Sequence, residues 1–207
     1  MNKIIILGRG ASLEKLKEFK NEDHIDTVII VNTFWDSPQV PVAYYKDELI
    51  NNFIKDKKII LIMTGCCNIS NIKPFLDKYN VIDIYKTNFS KKIRVSKNDN
   101  ICKILPDETI APFIHMDNNF KNCGSLGVSI LYADKILNCK NITIFGLDFY
   151  EKDYYLTNKH NYKNELNKSS IIKRDWYNFM NYNSYIHFTI NSLANIDHFN
   201  ELNNCTT

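Results

Sequence analysis

At 207 residues, with 44% apolar and 13% aromatic side chains, the chain is long enough to bury one sizeable core with at most a small appendage. A formal net charge of +3 lacks the strong basic balance of a nucleic-acid binder. No stretch approaches the roughly 18 apolar residues that a spanning helix needs, and the run Lys3 to Leu7 is too short for a signal peptide.

The first element is the apolar run Ile4–Leu7, a predicted strand that stops at Gly8-Arg9-Gly10 before Ser12 opens a helix. Glycines let a backbone approach a ligand closely, and free N–H groups at a helix start favour an anion. The dinucleotide fingerprint fails at Leu13, and no Gly-Lys-Ser/Thr follows for a P-loop. The turn therefore leaves open a nucleotide phosphate, a sugar, or a plain tight connection between strand and helix.

Further strands are predicted at Thr27–Asn32, Val42–Tyr45, Lys58–Thr64, Val81–Tyr85, Asn141–Phe145 and Tyr185–Ile190. Helices are predicted at Ser12–Phe19, Asp47–Lys55, Ile69–Tyr79, Ser125–Leu137 and about Lys163–Asn181. Short Val/Ile-rich runs alternating with amphipathic helices point to α/β architecture: one Rossmann-like domain over residues 1–207, its mostly parallel sheet covered by helices on both faces. In such sheets ligands sit beyond the carboxyl ends of the strands, where strand order reverses. The residues to inspect there are Gly8, Arg9, Gly10, Ser12, Asn32, Thr33, Phe34, Tyr45, Lys46, Thr64, Gly65 and the run Gly146-Leu147-Asp148-Phe149-Tyr150.

Residues 88–119, with Pro106 and Pro112, read as an irregular excursion whose lysines form a solvated loop. Residues 151–170 open on EKDYYLTNKHNYKNELN, a polar stretch with three tyrosines and one histidine, and read as a lid over the site. Six cysteines form no C-x-x-C pair and five scattered histidines give no zinc spacing, so free thiols and no metal site are expected. Trp176 and Phe179 read as packing residues, and Lys168, Lys173 and Arg174 as a solvated helix face or a surface toward an anionic lipid or glycan.

Four segments carry a resemblance. "IILGRGASL", "VNTFW", "SLGVSILYADKILNCKNITIFGLDFY" and "INSLAN" are similar to the opening strand and turn, second strand, helix–strand–G-[IL]-D-F-Y block and C-terminal run of the bacterial sialyltransferases of glycosyltransferase family 42, typified by the Campylobacter lipooligosaccharide enzymes. From about Phe53 to Asn119 only the layout agrees. The resemblance implies a variant of the GT-A glycosyltransferase fold and a metal-independent inverting transferase. Such an enzyme moves sialic acid, or a related nonulosonic acid, from a CMP-sugar to a glycan hydroxyl in lipooligosaccharide biosynthesis.

The resemblance puts the catalytic base on His160 and the tyrosines that steady the leaving phosphate on Tyr150 and on Tyr154 or Tyr155, with a later lid tyrosine at Tyr155 or Tyr162. Asn32 would hold the donor, with Gly8, Arg9, Gly10, Ser12, Ser125, Gly127, Gly146 and Asp148 completing its cradle. Asp148 could instead cap the next turn. His115 and His187 are the other histidines considered as bases. Arg9 and Ala11 stand where the family has asparagine and proline, Lys46 where it has asparagine, and Leu126 where it has serine next to the glycine. Those departures leave a different donor, or a nucleotide- or glycan-binding module without turnover, as rival readings. The expected partners are a CMP-activated sugar and a glycan acceptor, with no nucleic acid. A cytoplasmic location is expected, with peripheral contact to the inner membrane and a homo-oligomer both open.

Phenol hydroxyls and backbone N–H groups can stabilise the single phosphate of CMP without a divalent ion. A histidine, with its ordinary pKa near 6.5, can take the acceptor's proton at neutral pH.

Overall fold

A computed structural model of the chain describes residues 3–20, 25–31, 47–64, 75–87, 93–95, 102–104, 120–152 and 168–207. Asn32, Tyr154, Tyr155, His160, Tyr162, His115, Thr33, Phe34, Tyr45, Lys46 and Gly65 lie outside the described residues, as do the expected strand at 42–45 and residues 153–167 of the expected lid.

The elements run in order as β1 (Lys3–Leu7), a 3-10 helix (Ala11–Lys17), β2 (Thr27–Val31), α1 (Glu48–Ile54), β3 (Lys58–Thr64), β4 (Val81–Thr87), β5 (Ile93–Val95) and β6 (Cys102–Ile104). A 3-10 turn (Lys121–Cys123) then leads into α2 (Gly124–Lys135), β7 (Asn141–Phe145), α3 (Ser169–Tyr182), β8 (His187–Asn191), a 3-10 turn (Asp197–Glu201) and β9 (Cys205–Thr206). This is the expected Rossmann-like α/β arrangement. Its sheet has the order β6-β5-β4-β3-β2-β1-β7-β8-β9, with the seven strands from β4 to β9 parallel and β5 and β6 antiparallel at one edge.

Alternation along the strands splits the core into two layers. Ile4 and Ile6 of β1 face one side with Ile142 and Ile144, Leu131 of α2 and Trp176 and Phe179 of α3. Ile5 and Leu7 face the other with Leu13 and Leu16 of the first helix and Ile50 and Ile54 of α1. A parallel sheet covered on both faces has to be apolar on both, which is why its strands read as unbroken Ile/Val runs. Burial at roughly 25 cal/mol per Å² of apolar surface is the main favourable term for both layers.

Local chemistry sets the ends. Asp47 caps α1 by accepting from the Ile50 N–H at 2.9 Å. α2 is buried from Ser125 to Asp134, as a helix packed on several sides must be. At its far end the buried Asp134 accepts from Lys140, Lys135 and Tyr185; burial alone would raise its pKa, and these bonds outweigh it and hold the carboxyl below its ordinary value.

Four expectations change. The first helix, expected over Ser12–Phe19, runs over Ala11–Lys17 and is a 3-10 helix. The irregular excursion contains the antiparallel pair β5–β6. The polar end of the chain carries β9, anchored by Asn204, whose buried amide donates to the carbonyl oxygens of Ile186, Met180 and Asn183. β8 begins at His187 rather than Tyr185, and that residue sits at the amino end of its strand beside Asn141.

Candidate functional site

From β1 the chain steps outward through β2, β3 and β4, then crosses back to add β7 on the opposite side of β1. Strand order therefore reverses between β1 and β7, which end together at Leu7 and Phe145. A cavity opens beyond those ends, with about 710 Å³ of empty space counting its mouth.

Of the candidate residues, Gly8, Arg9, Gly10, Ser125, Gly146, Asp148 and Tyr150 line this cavity together. Ser12 and Gly127 do not: among the described residues, both are buried outside its lining. His187, at the amino end of β8, is a strand length away, roughly 13 Å at 3.3 Å per residue, so it is removed as a candidate base.

The opening turn corrects the sequence-based account of its glycines. The Gly8 N–H donates to the Phe145 carbonyl at 2.7 Å and the Gly10 N–H to the Gly146 carbonyl at 2.9 Å. Ser12 donates its N–H to Asp148 Oδ2 at 2.8 Å, and its hydroxyl accepts from the Gly146 N–H at 3.0 Å. A Cβ on Gly8 would sit 2.5 Å from the Gly146 oxygen, and one on Gly10 would sit 2.3 Å from Asp148 Oδ2. The glycines admit the neighbouring turn, and the anion at the first helix is the protein's own carboxylate. Asp148 also accepts from the Ser192 hydroxyl at 3.0 Å and the Leu193 N–H at 2.8 Å, so it locks three segments together. Its side-chain bonds run to Ser12, Ser192 and Leu193 rather than to the turn that follows it, and it also lines the cavity.

The start of α2 also borders the cavity. Its N-cap, Cys123, gives no side-chain hydrogen bond, and the first turn carries no acidic residue. Ser125 lies in that turn, 3% exposed, with its hydroxyl oxygen buried and without a hydrogen-bond partner. The positive end of a twelve-residue helix, a first turn without acidic residues and an idle hydroxyl make this the end of the cavity suited to an anion. Arg9 and Lys152 add positive charge to the lining.

Tyr150 enters the lining on a strained backbone. Gly146, Phe149 and Tyr150 have φ of 79°, 52° and 61°, and the last two lack glycine's freedom in that region. Each such residue costs roughly 1–2 kcal/mol. Burial of the Phe149 ring, 5.6 Å from that of Phe199, offsets this cost. Strain kept by a rigid surround is found where a side chain must be aimed.

Of the remaining wall, Asn122 and Ile172 were not singled out from the sequence. Asn122 and Cys123 come from the 3-10 turn before α2, Leu126 from the first turn of α2, and Ile172 and Trp176 from α3. Trp176 and Phe179 pack edge to face at 5.6 Å, as expected of core residues, with Trp176 also closing the cavity. Burial, with the nearby Asp175 carboxylate, pushes the Cys123 thiol well above its ordinary pKa, so it is no nucleophile. Cys123, Cys139 and Cys205 are all free thiols.

Residues 151 and 169, near the two ends of the expected lid, are tied together. Glu151 Oε1 accepts from the Ser169 hydroxyl at 3.0 Å and pairs with Lys173 Nζ at 2.6 Å, and Lys173 also donates to the Asn195 carbonyl. Burial would raise the Glu151 pKa, and the Lys173 and Ser169 bonds overcome it and hold the carboxyl below 4.5. A group with a depressed folded pKa stabilises above its unfolded pKa and stops doing so as pH falls through the folded one. Glu151→Gln is therefore expected to lose about 1 kcal/mol at neutral pH. The gap in melting temperature from the wild type should close as pH falls below 4.5. A gap that stays constant with pH would show that this pairing contributes nothing.

Among the described residues, no group of three or more His, Cys, Asp or Glu side chains is placed to hold a metal ion, and no helix is long and apolar enough to cross a membrane. No protein-family model, curated protein or solved structure matches the chain.

Proposed function

We propose that this protein is a nucleotide-sugar transferase that binds a CMP-activated nonulosonic acid in the cavity between β1 and β7 and passes the sugar to a glycan hydroxyl. The observation that carries the reading is the buried, unpartnered Ser125 hydroxyl at the uncapped start of α2, in a cavity lined by Arg9 and Lys152 at the reversal of strand order. Such a site holds a phosphate or carboxylate, and a CMP-sialic acid donor carries both. The motif resemblance names the chemistry, with His160 as base and Tyr150 as a hydroxyl donor to the departing phosphate.

Leu126 favours a second reading. It lines the cavity where the family has a serine, so the donor's acidic sugar loses a hydroxyl partner there. A related transferase with a different donor, or a binding module without turnover, fits that change. The test is release of CMP from CMP-sialic acid in EDTA, with and without lactose. Release stimulated by lactose supports the transferase. Absence of release, with CMP still raising the melting temperature, supports the second reading.

A further inference from the structure

Asn122 sits two residues before the start of α2 and lines the cavity. Its Nδ2 donates at 2.6 Å to Oδ2 of Asp175, a residue of α3 that is 1% exposed. The other oxygen of Asp175 accepts from Arg174 Nη2 at 3.1 Å. An ionised carboxylate only accepts hydrogen bonds, so the nitrogen end of the Asn122 amide must face it. The amide oxygen is then the end left to the cavity, beside the anion-binding turn. Asn122 is half-buried, and a ligand that takes the place of water at this wall must bring a donor to its amide oxygen.

We propose that Asn122 is a specificity-determining residue that accepts a hydrogen bond from a sugar hydroxyl close to the ligand's anionic group, and that Asp175 is the positioning residue that fixes its orientation. The proposal rests on the nucleotide reading above. Its ligand class is a ribonucleotide rather than a deoxyribonucleotide or a bare anion. A base amino group is the less suitable donor, because the base lies at the end of the nucleotide farther from the phosphate.

The test is calorimetric titration of CMP, 2′-deoxy-CMP, 3′-deoxy-CMP and UMP into the wild type, Asn122→Ala and Asp175→Asn. In the wild type, removing one of the two ribose hydroxyls should weaken binding about 10-fold, while UMP binds as CMP does. In Asn122→Ala that discrimination should vanish, with CMP falling to the level of the deoxy analogue. Asp175→Asn keeps an acceptor oxygen for the Asn122 amide and should retain most of the discrimination. The inference is overturned if Asn122→Ala weakens CMP and both deoxy analogues equally, since a merely structural role does that. It is equally overturned if the wild type discriminates CMP from UMP but not from the deoxy analogues. A wild type that binds no CMP at all would overturn the nucleotide reading as well. CMP binding without ribose discrimination would overturn this inference alone.

Discussion

Gly8→Ala is expected to lose roughly 3–5 kcal/mol of folding stability, although no side chain is removed and no hydrogen bond is deleted on paper. The added methyl would lie 2.5 Å from the Gly146 carbonyl oxygen and 3.0 Å from its carbon, a distance that a backbone cannot accept without moving. The turn that would have to move is bonded back through the Gly10 and Ser12 groups, so it has no direction in which to yield. Overpacking of this kind costs roughly 1–3 kcal/mol where side chains can adjust, and more where the obstacle is backbone. At this chain length each kcal/mol lowers the melting temperature by roughly 2–4 °C, so a fall of roughly 10 °C is expected in thermal denaturation. Gly10→Ala should behave alike, because Asp148 is held by three bonds and cannot retreat from the new methyl. A fall under about 3 °C in either variant would mean that the two turns are not in close contact.

His160→Ala is expected to lower CMP release from CMP-sialic acid by about 100- to 10,000-fold, the range for loss of a general base. Affinity for CMP should stay nearly unchanged, because a group that acts on the acceptor's proton contributes to the transition state and not to donor binding. The two quantities must be measured on the same preparation. Turnover that survives the substitution would move the base away from His160. His187 is too far from the cavity to replace it, and His198 is stacked on Tyr177 at 5.9 Å, outside the cavity lining. Loss of turnover and affinity together would assign His160 to binding.

Most of the sheet was legible because burial on both faces forces each central strand into a run such as KIIIL or TVIIV. β5 and β6 were not legible, since three residues among lysines show no period. β9 escaped for a different reason: its two residues are held by Asn204, whose partners lie 18 to 24 positions earlier at the end of α3. The opening turn was legible as a turn, and the glycine spacing pointed correctly to the ends of the strands. The cause of that spacing was not readable there, because the group that fills the space under Gly10 is Asp148, bonded to Ser12 across 136 positions. Asn122 gave no signal, as its partner Asp175 is 53 positions away and ordinary in its own helix. Local pattern therefore pointed to the cavity at the strand ends, while long-range contacts decide which polar groups there are already bonded within the protein.

The central claim is that an anion is held at the start of α2, and the most direct measurement is the melting temperature in EDTA with CMP and with cytidine. At a concentration 100 times its dissociation constant, CMP should stabilise the wild type by about 2.7 kcal/mol, or roughly 5–10 °C, while cytidine, lacking the phosphate, should do little. Ser125→Asp, which places a carboxylate in the anion's position, should fold and lose the response to CMP. Equal stabilisation by cytidine and CMP, or a full response to CMP in Ser125→Asp, would contradict the claim.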